Sequence, residues 1–235
     1  MPLPAFSADE IEVLTLSLRV ALASVVLSLP FALVVAYVLA RWQFAGKSLF
    51  DAFVHLPLVL PPVVVGYALL ILFGRHGMLG GLLERYFGVV LAFRWTGAAV
   101  ACAVMGFPLM VRAIRLSLEN IDLQLEAAAS TLGAGPWWIL GTITLPLAMP
   151  GIITGILLSF ARSLGEFGAT ITFVSNIPGQ TSTLPLAIYT YTQVPGGDAQ
   201  ALRLSILSVA LSLGALVLSE ILVRRAHRRA KGQDA

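Results

Sequence analysis

Long apolar runs without charged residues set the first limit on how this chain can fold. Residues 20–40 contain no Asp, Glu, Lys or Arg, and residues 95–111 form a second such run. About 20 apolar residues in a helix cross the hydrocarbon core of a bilayer, where the backbone must satisfy its own hydrogen bonds. We therefore predict an all-α polytopic membrane protein, one transmembrane domain over residues 1–235 with about five spans. They are predicted at about residues 13–40, 52–73, 95–111, 147–173 and 204–223.

Composition agrees with this class and argues against several others. Apolar residues make up 58% of the chain and charged residues 11%, which is unlike a soluble domain. The net charge of +3 is small and the basic excess lies at the C-terminus, so we predict no nucleic-acid partner. Residues 1–12 contain no Lys or Arg, so a removable signal peptide is not expected. The single cysteine, Cys102, cannot form an intrachain disulfide.

The sequence has no combination of residues typical of an enzyme. Its three histidines are scattered without metal-ligand spacing, and no nucleophile, base and orienting group form a set. Gly46, Lys47 and Ser48 resemble the end of a phosphate-binding loop, but Arg41 occupies the place of the required earlier glycine. We therefore predict no catalytic residue, metal or cofactor in this chain. Any ATP that drives its function would be hydrolysed by another subunit.

The distribution of basic residues predicts which loops face the cytoplasm. With five spans and the N-terminus outside, the inner segments contain nine Lys and Arg residues and the outer segments contain four. This asymmetry satisfies the positive-inside rule and puts loop 112–146 and the C-terminus inside. The basic tail, residues 224–231, would anchor the inner end, with attraction to anionic membrane lipid as a secondary effect. The inner basic residues are Arg41, Lys47, Arg112, Arg115 and five in the tail, and the outer ones are Arg75, Arg85, Arg94 and Arg203.

The cytoplasmic loop contains a pattern suited to contact with another protein. Residues 118–132 have apolar side chains at three- and four-residue steps, with acidic and polar residues between them. This periodicity predicts an amphipathic helix, which Gly133 ends. A short second helix is predicted from Pro136 to Thr144, where Pro146 restricts it. The small-residue surface favours a docking site, and an ordinary cytoplasmic loop is the alternative.

The second span must bend or break. Its first half contains Pro57, Pro61 and Pro62, and proline removes a helical hydrogen bond and clashes with the preceding turn. In lipid, the freed carbonyl groups are tolerated only beside protein or a water-lined cavity. We predict that Pro61 and Pro62 lie beside a translocation pathway, with simple helix packing as the alternative.

The fourth span contains two charged residues, Arg162 and Glu166, and begins with a Gly151-xxx-Gly155 pattern that lets another helix approach closely. An unpaired Arg near mid-bilayer costs about 3 kcal/mol, and the four-residue spacing allows the two charges to pair. One interpretation is a structural ion pair. The other is a water-lined pathway in which Arg162 attracts a passing anion and Glu166 keeps its binding weak. The residues predicted to narrow that pathway are Ser163, Gly165, Gly168 and Thr170.

Residues 126–146 resemble the EAA loop of ABC importer permeases, which runs Glu-Ala-Ala, three residues, Gly, nine residues, Ile, any residue, Leu-Pro. The glycine and the Ile-x-Leu-Pro end match that spacing. Glu126 comes one residue early, with Ala127 in the position of the acid, which turns the carboxylate by about 100° on a helix. The resemblance implies that an ATPase subunit docks here. The residues implied are Glu126, Ala127, Ala128, Ala129, Gly133, Ile143, Leu145 and Pro146.

Three further segments, residues 55–67, 107–119 and 161–181, resemble the permease subunit of bacterial molybdate ABC importers. The resemblance implies the methionine- and molybdate-importer type of permease fold in the bacterial inner membrane. It also implies a homodimer around one pathway, two ATPase subunits that use ATP and Mg, and a periplasmic molybdate-binding protein. ATP would draw the ATPases together, and the spans joined to the cytoplasmic loop would rock and open the cavity outward by alternating access.

Other functions stay open at this point. A sulfate, thiosulfate or tungstate importer permease is the nearest alternative, because tetrahedral dianions differ little in size. An ATP-independent secondary transporter or channel is less favoured, because the sequence shows no internal inverted repeat. A membrane scaffold without a transport role disagrees with Arg162, Glu166 and the broken second span.

Overall fold

The computed structural model describes residues 7–230, without the side chains of residues 219 and 223–230. Every regular element in that range is helical, which confirms the predicted all-α class. The side chains of the predicted basic anchor, residues 224–231, lie outside the described part. The helices are α1 (Ala8–Arg41), α2 (Lys47–Val59), α3 (Pro62–Phe73), α4 (Met78–Phe87), α5 (Trp95–Glu119), α6 (Leu123–Thr131), α7 (Pro136–Ile139), a π-helical turn (Leu140–Thr144), α8 (Leu145–Leu164), α9 (Gly168–Val174), α10 (Leu184–Gln193) and α11 (Asp198–Ala230).

The centre of the fold is formed by α1, α5 and α8. Met110 of α5 and Ala148 of α8 are fully buried in the core between these helices. Two glycines lie where α8 crosses α5. A methyl group at Gly151 would collide with Ser117, and one at Gly155 would lie 3.1 Å from the Met110 carbonyl oxygen. The small-xxx-small pattern therefore permits the close helix approach that the sequence predicts.

Within residues 7–230, four helical stretches are long and apolar enough to cross a membrane, and a fifth results if α2 and α3 form one broken span. The axes of α2 and α3 differ by 110°. The break follows Val59, and Pro62 is the first residue of α3, where the missing N–H has no helical acceptor to lose. The prediction that the second span bends or breaks is confirmed. The four stretches are α1, α5, Pro136–Leu164 and Asp198–Leu222.

Pro146 does not end the helix before it, and that prediction is wrong. The chain from Pro136 to Leu164 forms one continuous helix through the π-helical turn. There the Leu145 N–H donates to the carbonyl oxygen of Leu140, five residues back, which widens the helix just before the proline. The wider turn gives the ring space that a regular α-helical turn lacks.

The C-terminal end of α5 extends further than the uncharged run indicated. The helix continues past residue 111 to Glu119. Arg115 does not interrupt it, because ion pairs to Asp51 of α2 at 3.0 Å and to Glu119 at 2.7 Å hold its guanidinium. The loop proper is therefore shorter than residues 112–146.

The fourth predicted span, residues 147–173, is two helices rather than one. The chain leaves helical geometry after Leu164 and resumes it at Gly168. The uncharged segment that follows, residues 175–197, contains α10 and has a well-buried stretch, with Thr181 and Leu184 inaccessible to solvent. This segment is part of the packed body, although its composition is typical of a surface connection.

Candidate coupling loop and translocation pathway

The first helix of the loop, α6, lies apart from the packed helices. Asp122 caps its N-terminus by accepting a hydrogen bond of 2.9 Å from the Gln124 N–H. No residue of α6 is buried, and only Glu126 and Ala129, one turn apart, are half-buried. Most of the surface of α6 is therefore exposed. Its half-buried side, which faces the rest of the protein, contains one carboxylate, that of Glu126.

Gly133 ends α6 through its backbone conformation. Its φ of +87° lies in the left-handed region that side chains disfavour. The Gly133 N–H donates to the Ser130 carbonyl oxygen at 3.0 Å, and the Ala134 N–H donates to the Ala129 carbonyl oxygen at 3.1 Å. These two bonds form a Schellman motif and satisfy carbonyls at the helix end. The predicted helix stop is confirmed, and the turn directs the chain into α7.

A shallow groove of about 630 Å³ lies between α6 and the π-helical turn. Small residues dominate its lining, and large apolar side chains stand exposed around it. Leu132 is 89% exposed and Trp137 is 83% exposed. Leu132 lies before the membrane-length stretch Pro136–Leu164, and Trp137 lies in the first turn of that stretch. Exposed apolar surface at this end of the stretch favours contact with a partner. The lining residues are Ala128, Ala129, Leu132, Gly133, Ala134, Gly135, Trp138 and Ile143.

The groove brings together four of the eight residues that the sequence assigned to the loop. Ala127 is exposed beside the groove, and Leu145 and Pro146 belong to the first turn of α8. Glu126 is not part of the lining. Its Oε1 atom lies 2.8 Å from Arg41 Nη2 at the end of α1.

Thr144, at the end of the π-helical turn, donates a second hydrogen bond of 2.8 Å to the same Glu126 oxygen. Sequence reasoning missed both partners. The sequence marks Arg41 as a basic residue beside a predicted span and Thr144 as the end of a predicted short helix, and it pairs neither of them with Glu126. Nothing in the spacing of residues 41, 126 and 144 signals that they meet, because the contacts depend on how α1 and α8 pack.

In the predicted pathway, Arg162 and Glu166 form an ion pair with 2.7 Å between Nη1 and Oε2. The Arg162 side chain is 29% exposed, whereas that of Glu166 is 1% exposed. The second carboxylate oxygen of Glu166 accepts a hydrogen bond of 2.8 Å from the Ala169 N–H at the start of α9. The Glu166 carboxylate thus bridges the end of α8 and the beginning of α9. The guanidinium of Arg162 is the partly exposed member of the pair.

The two hydroxyl groups predicted beside this pair are engaged within the protein. Ser163 Oγ lies 2.9 Å from Ser24 Oγ of α1, and Thr170 Oγ1 donates to the Glu166 carbonyl oxygen at 3.1 Å. Both residues are buried. Neither hydroxyl faces an open passage in this structure, so Arg162 is the exposed polar group of the set.

The two helix breaks meet in space. A methyl group at Gly168 would lie 2.7 Å from Pro62 Cβ, and one at Gly66 would lie 2.5 Å from the Ala169 carbonyl oxygen. The half-helices α3 and α9 therefore pack with their backbones in close contact. The structure brings Pro62, at the start of α3, together with Gly168, at the start of α9.

A recess beside this junction involves aromatic residues that the sequence analysis did not select. The rings of Phe167 and Tyr189 are 5.2 Å apart, and Tyr189 is half exposed. Both residues and Gly165 contribute to a recess of about 450 Å³ between α10 and α11. Residues 175–197 carry no charge and so gave no functional signal.

Comparison with known proteins identifies relatives along the whole chain. The family model "binding-protein-dependent transport system inner membrane component" matches residues 13–228. The molybdenum transport system permease protein ModB of Escherichia coli K12 is 58% identical, covering 94% of this chain and 96% of the relative. ModB of Haemophilus influenzae is 56% identical with the same coverage. The sulfate transport system permease protein CysW of Synechococcus elongatus is 38% identical, covering 94% and 76%.

Solved structures agree on the fold. A bacterial ABC transporter for import of the polysaccharide alginate aligns with a TM-score of 0.73 at 17% identity, covering 94% of this chain and 80% of that chain. The inward-facing MetNI methionine ABC transporter aligns with a TM-score of 0.66 at 17% identity, covering 92% and 94%. The predicted methionine-importer type of permease fold is confirmed. The chain therefore belongs to the family of binding-protein-dependent transport system inner membrane components, and it is a multi-pass inner-membrane protein.

Proposed function

We propose that this chain is the permease subunit of an ATP-driven importer that moves molybdate across the inner membrane. The observation that carries the proposal is its 58% identity to a molybdenum transport permease along nearly the full length of both chains. Identity to a sulfate permease is 38% and leaves about a quarter of that relative unmatched. The chain contributes the pathway and does no chemistry on its cargo.

The groove on α6 is the proposed docking site for an ATPase subunit. Its small-residue floor at Ala128, Ala129 and Gly133 admits an apolar projection from a partner, and Leu132 and Trp137 supply surface that such a partner would bury. Two copies of the chain would enclose one pathway, and each would hold one ATPase. ATP and Mg would be bound by that ATPase.

Alternating access follows from how the loop joins the core. The loop connects α5 with the continuous helix Pro136–Leu164, and both pack in the centre of the fold. When two ATPases close on ATP, a docked α6 moves with them and carries these helices. Because packed helices shift as rigid bodies, the cavity would open on the outer side.

Arg162 is the proposed contact for the anion. Its guanidinium is partly exposed while the paired carboxylate is buried, so the positive end of the ion pair faces the surface and the carboxylate weakens its attraction for an anion. Weak attraction suits a permease, because tight binding would slow release. A periplasmic molybdate-binding protein would supply the selectivity and deliver the anion from outside.

The N-terminus is placed outside and the C-terminus inside on the basis of the basic-residue asymmetry. A reporter enzyme joined after Ala235 tests this orientation. A reporter that works only in the cytoplasm should be active there, and activity of an externally active reporter would overturn the five-span topology.

Uptake of radiolabelled molybdate in cells lacking this chain, with and without the chain restored, tests the transport function. We expect restored uptake that excess sulfate does not lower. Restored sulfate or thiosulfate uptake instead would identify the chain as a sulfate-type permease. Purification in mild detergent should also recover an ATPase subunit, and a chain that transports without one would be a secondary transporter.

A further inference from the structure

Glu126 lies on the half-buried side of α6, a loop helix with no buried residue. Its Oε1 atom is 2.8 Å from Arg41 Nη2 and accepts a hydrogen bond of 2.8 Å from Thr144 Oγ1. The side chains of Arg41 and Glu126 are 13% and 22% exposed, and Thr144 is buried. This shielding from water strengthens the ion pair relative to one on an open surface.

The three residues belong to three different elements. Arg41 is the last residue of α1, Glu126 lies in the first turn of α6, and Thr144 closes the π-helical turn that leads into α8. The most extensive contacts of α6 are with α7 and the π-helical turn. Since none of its own residues is buried, α6 has little apolar packing to hold it against α1. Among the described residues, a single carboxylate oxygen makes the polar connection between α6 and α1.

We propose that Glu126, Arg41 and Thr144 form a polar clamp that transmits movement of α6 to α1 and α8. The proposal deepens the importer function given above and rests on it. It also accounts for the early position of the acid in the loop. One residue of displacement turns the carboxylate from the exposed position of Ala127 toward the packed helices, where Arg41 and Thr144 bind it. These three are positioning residues, and the ATPase contacts the groove instead.

Charge exchange across the clamp gives the decisive test. The complete importer, with its ATPase and molybdate-binding protein, is reconstituted in liposomes, and molybdate uptake and ATP hydrolysis are measured together. Arg41→Glu and Glu126→Arg should each lower molybdate transported per ATP by about tenfold, because like charges then face each other. The double variant should recover to within about threefold of the wild type. Recovery is incomplete because a carboxylate at the end of α1 opposes the helix dipole.

Milder variants keep the test valid if charge reversal prevents assembly. Glu126→Gln and Thr144→Val each remove one clamp contact while preserving shape, and both should lower the uptake per ATP with ATPase still bound. Glu119→Gln is the matched control, because this carboxylate lies near the same end of the fold and pairs only within α5. It should leave uptake per ATP unchanged.

The outcomes separate the clamp from the importer function. Wild-type uptake per ATP in Glu126→Gln and Arg41→Glu would overturn the clamp and leave the importer intact. Loss of ATPase binding in the single variants that the double exchange does not recover would also overturn it, since Glu126 would then contact the ATPase. Absence of ATP-dependent molybdate uptake in the wild type would overturn the importer function, and the clamp with it.

Discussion

The C-terminal end of α5 and the junction of the two helix breaks contain the same kind of ion pair in opposite surroundings. In each, an Arg precedes a Glu by four residues and the charged atoms are 2.7 Å apart, as Arg115–Glu119 and Arg162–Glu166. Glu119 is 38% exposed, whereas Glu166 is 1% exposed. Water can replace the partner of the first carboxylate and cannot reach the second. Burial, rather than local geometry, decides how much the loss of one partner of each pair lowers the free energy of unfolding.

Glycines give a parallel contrast between the loop and the junction. Gly133 has open space around the position of a Cβ atom and is required for its positive φ. Gly66 has an ordinary helical backbone and is required because the Ala169 backbone leaves no space. The loop therefore uses glycine to set the direction of the chain, and the junction uses it to bring two helices together.

Arg162→Ala should produce the largest loss, because it leaves a buried carboxylate without its cation. We expect the free energy of unfolding to fall by about 3 kcal/mol. Molybdate uptake should fall further than the amount of importer assembled, since the charge proposed to attract the anion is gone. Thermal unfolding in detergent and uptake per assembled complex measure the two effects. Equal losses would instead mean that the pair is purely structural.

Gly66→Ala should produce the next largest loss, because the added methyl group would lie 2.5 Å from the Ala169 carbonyl oxygen and 2.9 Å from its Cα atom. Forcing α3 away from α9 should lower the free energy of unfolding by about 2 kcal/mol. Gly214→Ala is the matched control, since this helical glycine of α11 has nothing within 4 Å of a Cβ position. A similar cost at both positions, measured by thermal unfolding, would contradict the close α3–α9 contact.

The contrast between loop and junction also marks how far the sequence predicts the structure. Apolar runs predict the membrane helices, and Pro61 and Gly133 predict a break and a stop, because each acts on its own backbone. The break between α8 and α9 is not visible in sequence, since it depends on Glu166 capping the start of α9. The Arg41–Glu126 contact was missed for the same reason: it joins residues 85 positions apart in the chain.

Gly133→Ala should cost less than either junction variant, because its cost is backbone strain alone. Holding Ala at a φ of +87° should lower the free energy of unfolding by about 1 kcal/mol. Gly135→Ala is the control, since Gly135 has a φ of −72° and equal open space.

A bulky residue at Gly133 tests the groove rather than the strain. Gly133→Leu should uncouple ATP hydrolysis from molybdate uptake, because the side chain would fill the proposed ATPase site. Gly133→Asn separates the two effects, since Asn tolerates the left-handed conformation. Unchanged coupled uptake in Gly133→Leu would show that the docking assignment is wrong.

Glu119→Gln should have the smallest effect and gives the comparison of ion pairs its sharpest test. We expect a loss of about 0.4 kcal/mol, because the pair is partly exposed and Asp51 still holds Arg115 at 3.0 Å. Because the Arg115–Glu119 pair is partly exposed, added salt should screen and weaken it. Thermal unfolding at low and high salt measures this, and a salt-independent cost near that of Arg162→Ala would mean that burial does not distinguish the two pairs.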